Sequence, residues 1–225
     1  MAITEQRKLS INQSDDSIDY VASIHHGALY LIIAGQKKLV GSSVDCFDAD
    51  EEDITGDLTD YTNKYINSLS SPDWTKHYRV QEELRENVKG KRGKHRKRID
   101  IVCILTDRKP HRLMKFEAKR LKRPSFLVDK YVGKTGLGEF ISGNYARKCD
   151  TAGMLGYIQS DDCDYWAKQI PVALNTKKTE VHLTKDGRWQ RADLENINDC
   201  YETRHNRPTV KRELLVYHLL LDFVK

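Results

Sequence analysis

Residues 98–121 read RIDIVCILTDRKPHRLMKFEAKRL, and no other stretch constrains the fold as tightly. Arg98–Leu105 is rich in Ile, Val and Leu and reads as a buried strand. Asp107–His111 is turn chemistry, and Arg112–Leu121 alternates as a second strand until Arg123–Pro124 breaks it. If the two strands turn symmetrically about Arg108 and Lys109, residue i faces residue 217 − i, and Asp100 lies opposite Glu117. Paired positions share a face of the sheet, with Cβ atoms about 4.5–5.5 Å apart. Glu117 and Lys119, two apart on one strand, share that face as well.

Two carboxylates and one ammonium thus converge. Carboxylates at that spacing repel unless a cation lies between them. Hard oxygen donors suit Mg²⁺ (or Mn²⁺), which keeps several waters for chemistry. A lysine beside a metal-bound water can orient it and stabilise charge developing at a phosphorus centre. Phosphodiester hydrolysis uses those parts.

Around the hairpin the periodicity is mixed. Apolar residues from Ser17 to about Val40 recur at helical spacing, so the pattern predicts a helix ending near Gly35 or Gly41. A second helix is expected over 51–69, with Ile54, Leu58, Tyr61, Tyr65, Ile66 and Leu69 on one stripe. Glu51, Glu52 and Asp53 give its first turn the sign that suits a helix N-terminus, and Ser70–Asp73 stops it. Residues 77–84 lean to a strand. Residues 139–158 read as mostly helical, although three glycines interrupt them. Ile170–Leu174, Glu180–Thr184 and Leu214–Val224 are further apolar runs, expected as strands or a terminal helix. The GKTGLG run at 133–138 resembles a phosphate loop but has Val128 where the Walker pattern needs glycine, so it reads as a lead into a helix.

At 225 residues the chain suits a polar tail over 1–16 and one domain over 17–225. Hydrophobic residues at 39% can build a core, and no apolar run is long enough to span a bilayer. The five cysteines are widely spaced without a CxxC pair, which predicts reduced thiols in a cytoplasmic protein and no zinc site. The net charge is +5, yet Lys89–Arg98 alone carries seven Lys or Arg, leaving the remainder at −2. Concentrated basicity is what a phosphate-facing patch looks like. Lys91, Arg92, Lys94, Arg96, Lys97 and Arg98 are therefore candidate nucleic-acid contacts, with Arg120, Lys122 and Arg123 after the second strand.

Asp100, then Glu117–Ala118–Lys119 on an apolar strand, resembles the PD-(D/E)xK, or restriction-endonuclease-like, nuclease superfamily, with Ile99 in place of the proline. The expected element order, helix then three strands then helix then strand, is similar to its αβββαβ core. The likeness covers about residues 50–185 and leaves the N-terminal helix as an addition. It implies an α/β fold with a mixed sheet flanked by helices, and Mg²⁺ held by Asp100, Glu117 and the Ala118 carbonyl. It also implies a catalytic role for Lys119 and a further acidic ligand from the first helix of that core, for which Glu51 is preferred over Glu52, Glu82 and Glu83. The expected substrate is DNA, with RNA excluded by no residue. A homodimer or partner protein would supply specificity or activation, and by analogy the setting would be restriction or antiphage defence. The alternative is a catalytically inactive nucleic-acid-binding subunit of a larger complex.

Overall fold

The computed structural model describes residues 18–86, 94, 96–107 and 109–224, with side chains from Ile24 onward in the first helix. The tail over 1–16 and basic-loop residues Lys91 and Arg92 lie outside the described residues. The hairpin forms as its alternation predicts. Strand β2 (Arg98–Leu105) pairs antiparallel with β3 (Arg112–Leu121), from Ile101 on Phe116 to Leu105 on Arg112, which is the 217 − i register. Strand β1 (Tyr78–Arg85) lies antiparallel on the other edge of β2. Its pairing steps from Glu82 to Leu84, passing over Glu83, whose φ of +53° turns it out of the ladder beside Asp100.

Four more strands complete the sheet: β4 (Thr151–Ile158), β5 (Gln190–Arg191), β6 (Cys200–Arg207) and β7 (Arg212–Asp222). The order is β1-β2-β3-β4-β7-β6-β5, and β4 runs parallel to both β3 and β7. Helices α1 (Ile18–Val40) and α2 (Glu51–Ile66) cover one face, burying Leu29, Ile32, Ile54 and Leu58 with Ile101, Phe116 and Leu155. Helices α3 (Val128–Val132), α4 (Leu137–Ile141) and α5 (Cys163–Thr176) cover the other, where Tyr131, Phe140, Trp166 and Ile170 meet Val102, Met154 and Leu220. The fold is α/β, a mixed sheet between helical layers. Among the described residues no helix is long and apolar enough to cross a membrane, and all five cysteines are free thiols.

The expectation of helix over 139–158 is corrected. Helix α4 ends at Ile141, and Thr151–Ile158 is the strand β4 at the middle of the sheet. Nearly every residue of β4 is buried, so it lacks the polar face whose alternation marks a strand. Its glycines have a packing reason. A Cβ on Gly153 would lie 2.2 Å from Cδ1 of Phe116, so only glycine lets that ring cross the strand. The helix over 51–69 ends at Ile66, and Leu69 is fully exposed in the turn beyond. The buried stripe of α2 is completed by Thr55, Thr59 and Thr62 in place of Tyr61, Tyr65 and Leu69. At Gly35 of α1 a Cβ would meet Thr62 Oγ1 at 2.0 Å, which is how closely the two helices approach. Residues 170–174 lie within α5, 180–184 form turns with one bridge from Leu183 to His205, and 214–222 belong to β7.

A buried polar chain runs under β6 and β7. His205 Nδ1 donates to the Val181 carbonyl at 2.8 Å, so its Nε2 accepts from the Thr203 hydroxyl at 2.7 Å. Thr203 Oγ1 then accepts from His218 Nε2 at 2.7 Å, and His218 Nδ1 accepts from the Tyr131 hydroxyl at 3.1 Å. Burial holds both imidazoles neutral: His205 is lowered to about 4 and His218 well below its ordinary value. Every proton in the chain therefore has one place to be.

Candidate active site

The five residues that the sequence singles out for chemistry meet at the N-terminus of α2. Asp100 and Glu117 fall opposite one another by extension of the β2–β3 register, and Asp100 Oδ2 accepts the Ala118 backbone N–H at 2.7 Å. Lys119 Nζ donates to Glu51 Oε1 at 2.7 Å and to the Ala118 carbonyl at 2.5 Å, and lies 2.9 Å from Glu117 Oε1. The backbone N–H of Arg120 donates to Glu51 Oε2 at 3.2 Å, so both oxygens of that carboxylate are held. Glu52, Glu82 and Glu83 are all exposed.

The electrostatics are strained. Burial, then the facing Asp100, pushes the Glu117 carboxyl up to about 9. Burial raises Asp100 as well, against the pull of Lys119 and the Ala118 N–H. Burial alone would lower Lys119, but Glu117, Glu51 and Asp100 together outweigh it and raise the ammonium further. One ammonium serves three carboxylates, and Glu117 Oε2 is buried with no hydrogen-bond partner. Among the described residues no group of three or more His, Cys, Asp or Glu is arranged to hold a metal ion, and Lys119 Nζ stands between Glu51 and Glu117. The donor chemistry nonetheless fits a hard divalent cation. The orphaned Glu117 oxygen, the Asp100 carboxylate and the Ala118 carbonyl are all hard oxygen donors, and the carboxylates outnumber the one ammonium among them.

The site opens into a cleft of about 1030 Å³. Its lining includes Asp45 and the acidic α2 residues Glu51, Glu52, Asp53, Asp57 and Asp60. Lys94, Arg96, Lys97 and Arg98 also line it, together with Glu82, Glu83, Asp100 and Tyr145. Tyr145 is not legible as a site residue in the sequence. Its ring meets Phe140 edge-on at 5.8 Å. Burial and the carboxylates of Glu117, Glu139, Asp100 and Glu86 raise its hydroxyl, which therefore remains a donor at the cleft.

The other candidate cations are placed as follows. Lys94 is exposed and Arg96 half-buried. Lys97 donates to Glu139 Oε1 at 2.6 Å, and Arg98 pairs with Glu83. Arg120 is buried, with Asp50 at 2.7 Å, while Lys122 pairs with Asp48 and Arg123 with Asp161. These five cations therefore each face a carboxylate of the chain itself. A buried pair unnoticed in the sequence, Lys115 with Glu86 at 2.5 Å, lies on the Glu117 face of β3 and fixes Glu86 against the Ala146 N–H.

No protein-family model, no curated protein and no solved structure matches this chain.

Proposed function

We propose that this protein is a metal-dependent nuclease of the PD-(D/E)xK kind that hydrolyses phosphodiester bonds in DNA. The observation that carries the reading is the buried, unpartnered Oε2 of Glu117 beside Asp100, with Lys119 and Glu51 completing the cluster. The element order supports it: α2, three antiparallel strands, a helical crossover through α3 and α4, then β4 parallel to β3.

Asp100, Glu117 and the Ala118 carbonyl would hold Mg²⁺ or Mn²⁺, with Glu51 completing the shell. When bound, the ion would polarise a phosphoryl oxygen and lower the pKa of a coordinated water. The chain's own residues do the rest. Lys119 stays protonated because three carboxylates surround it, so it acts as a fixed positive charge and not as a base. It orients the attacking water and stabilises charge developing at phosphorus. Glu51 holds the ammonium in that position through Oε1. Tyr145, kept protonated, offers a hydroxyl donor among the residues that line the cleft. A homodimer or partner protein would supply target choice.

Incubating supercoiled plasmid with the protein and Mg²⁺ or Mn²⁺, beside an EDTA control, tests the reading. Nicking or linearisation only with the divalent ion is expected. Intact plasmid, linear DNA and RNA with both metals would overturn it in favour of a non-catalytic nucleic-acid-binding subunit.

A further inference from the structure

We infer that Arg120 and Gln159 are positioning residues that hold the N-terminus of α2, and with it Glu51, against the catalytic strand; the functional consequence rests on the nuclease reading. Arg120 follows the Glu-Ala-Lys triplet directly, so its charge alone suggests a phosphate contact. Its placement favours a different task. The residue is 8% exposed. Its Nε donates to Gln159 Oε1 at 2.7 Å, its Nη1 to Asp50 Oδ1 at 2.7 Å, and its guanidinium lies 4.1 Å from the centre of the Phe126 ring. Gln159, fully buried at the end of β4, turns its amide the other way and donates to the carbonyls of Cys46 at 2.6 Å and Ala49 at 3.0 Å.

These bonds grip residues 46–50, the segment that leads into α2. Asp50 sits at the N-cap position but makes no side-chain cap bond, and its carboxylate faces Arg120. The helix start is therefore anchored to the sheet and not capped from within. Glu51 follows next, and its Oε2 accepts from the Arg120 backbone N–H. One residue thus reaches the third carboxylate by two routes, its own N–H on Glu51 and its side chain on Asp50. A guanidinium suits this because its fork can engage a neutral amide and a carboxylate at fixed angles. Partners outside the ligand set that orient it are typically worth 10–100-fold in metal affinity.

The test uses Arg120→Met, which keeps the apolar stem, and Asp50→Ala. Asp50 has an 81% exposed side chain, so its removal opens no cavity, and Arg120 keeps its bond to Gln159. Backbone amide exchange over residues 46–55, measured without metal, should quicken in both variants while 57–66 keep their protection. Calorimetric Mg²⁺ titration should show affinity lower by about tenfold or more in Arg120→Met. DNA affinity in EDTA, and its salt dependence, should match the wild type in both. Unchanged exchange over 46–55 in both variants overturns the inference. So does a loss of DNA affinity and salt slope in Arg120→Met with exchange and Mg²⁺ binding intact, since that marks a phosphate contact. If wild-type protein binds no Mg²⁺ but exchange quickens as stated, the positioning role stands and the nuclease reading falls.

Discussion

Asp100 Oδ2 accepts the backbone N–H of Ala118, a residue on the neighbouring strand, at 2.7 Å. The carboxylate is therefore oriented by the strand that carries Glu117 and Lys119, and the hairpin register itself builds the site. Asp100→Ala and Glu117→Ala should each reduce divalent-dependent cleavage to background. Far-UV circular dichroism and metal-free DNA retention should stay at wild-type values. Full cleavage by either variant rules out the site.

Stability should depend on pH through the same cluster. Glu117 rises from 4.5 to about 9 on folding, so protonation favours the folded state. Its contribution is complete below pH 4.5 and is lost as pH climbs toward 9, and Asp100, also raised, acts with the same sign. The buried histidines work at the other end. His205, lowered from 6.5 to about 4, removes stability as pH falls through that interval. Melting of metal-free protein from pH 5 to 9 should show a decline that Glu117→Gln flattens and that added Mg²⁺ opposes. An identical profile for the wild type and Glu117→Gln would show that the carboxyl is not perturbed.

Lys119→Met should separate ion binding from turnover. The ammonium cannot ligate a cation, and removing it leaves Asp100, Glu117 and Glu51 less neutralised, so Mg²⁺ affinity should hold or rise slightly. Hydrolysis should fall by about 10²-fold or more, the scale of losing one electrostatic stabiliser. Methionine keeps much of the apolar stem. Joint loss of metal binding and cleavage in calorimetry and rate measurements would make Lys119 structural.

Neutralising Lys91, Arg92, Lys94 and Arg96 together should weaken DNA binding to a similar degree across sequences. The slope of log affinity against log salt should fall by about 0.9 for each phosphate that the variant no longer neutralises. Lys122→Ala is the comparison, since that ammonium pairs with Asp48 and lies over the Phe47 ring. It should change the slope little. A slope unaffected by the fourfold variant would direct attention away from the basic loop.

Thr203→Val preserves shape but removes the hydroxyl between two buried imidazoles. His205 Nε2 and His218 Nε2 lose their partners, and each unsatisfied buried group costs about 1–3 kcal/mol. Denaturant unfolding should report a loss of about 2 kcal/mol or more, and Thr203→Ser should recover most of it.

Local pattern explains how much of this is legible in the sequence. The hairpin is legible because alternation and turn residues set its register, and register places Asp100 on Glu117. Glu51 is legible from the acid-rich first turn of α2 together with the resemblance. Strand β4 is not, because a strand buried on both faces shows no alternation, and its glycines read as interruptions when Gly153 makes room for Phe116 and Gly156 for Leu121 and Leu220. The burial of Arg120 escapes a reading based on charge. A signal exists: Arg120 shares parity on β3 with Met114, Phe116 and Ala118, all buried. The Lys115–Glu86 pair joins residues that only the folded sheet brings together.

The parallel pairing of β4 with β7 has a consequence in time. The hairpin that carries Asp100, Glu117 and Lys119 closes over a short turn and can form early, since local contacts cost little loop entropy. Strand β4, by contrast, has β3 on one side and residues 215–222 on the other, reached only after α5, β5 and β6. Pairing on that second edge therefore needs a contact of long sequence separation, which costs more loop entropy than the hairpin does. The sheet thus closes through its most distant pairing, whereas the strand that carries Glu117 and Lys119 is set by its nearest.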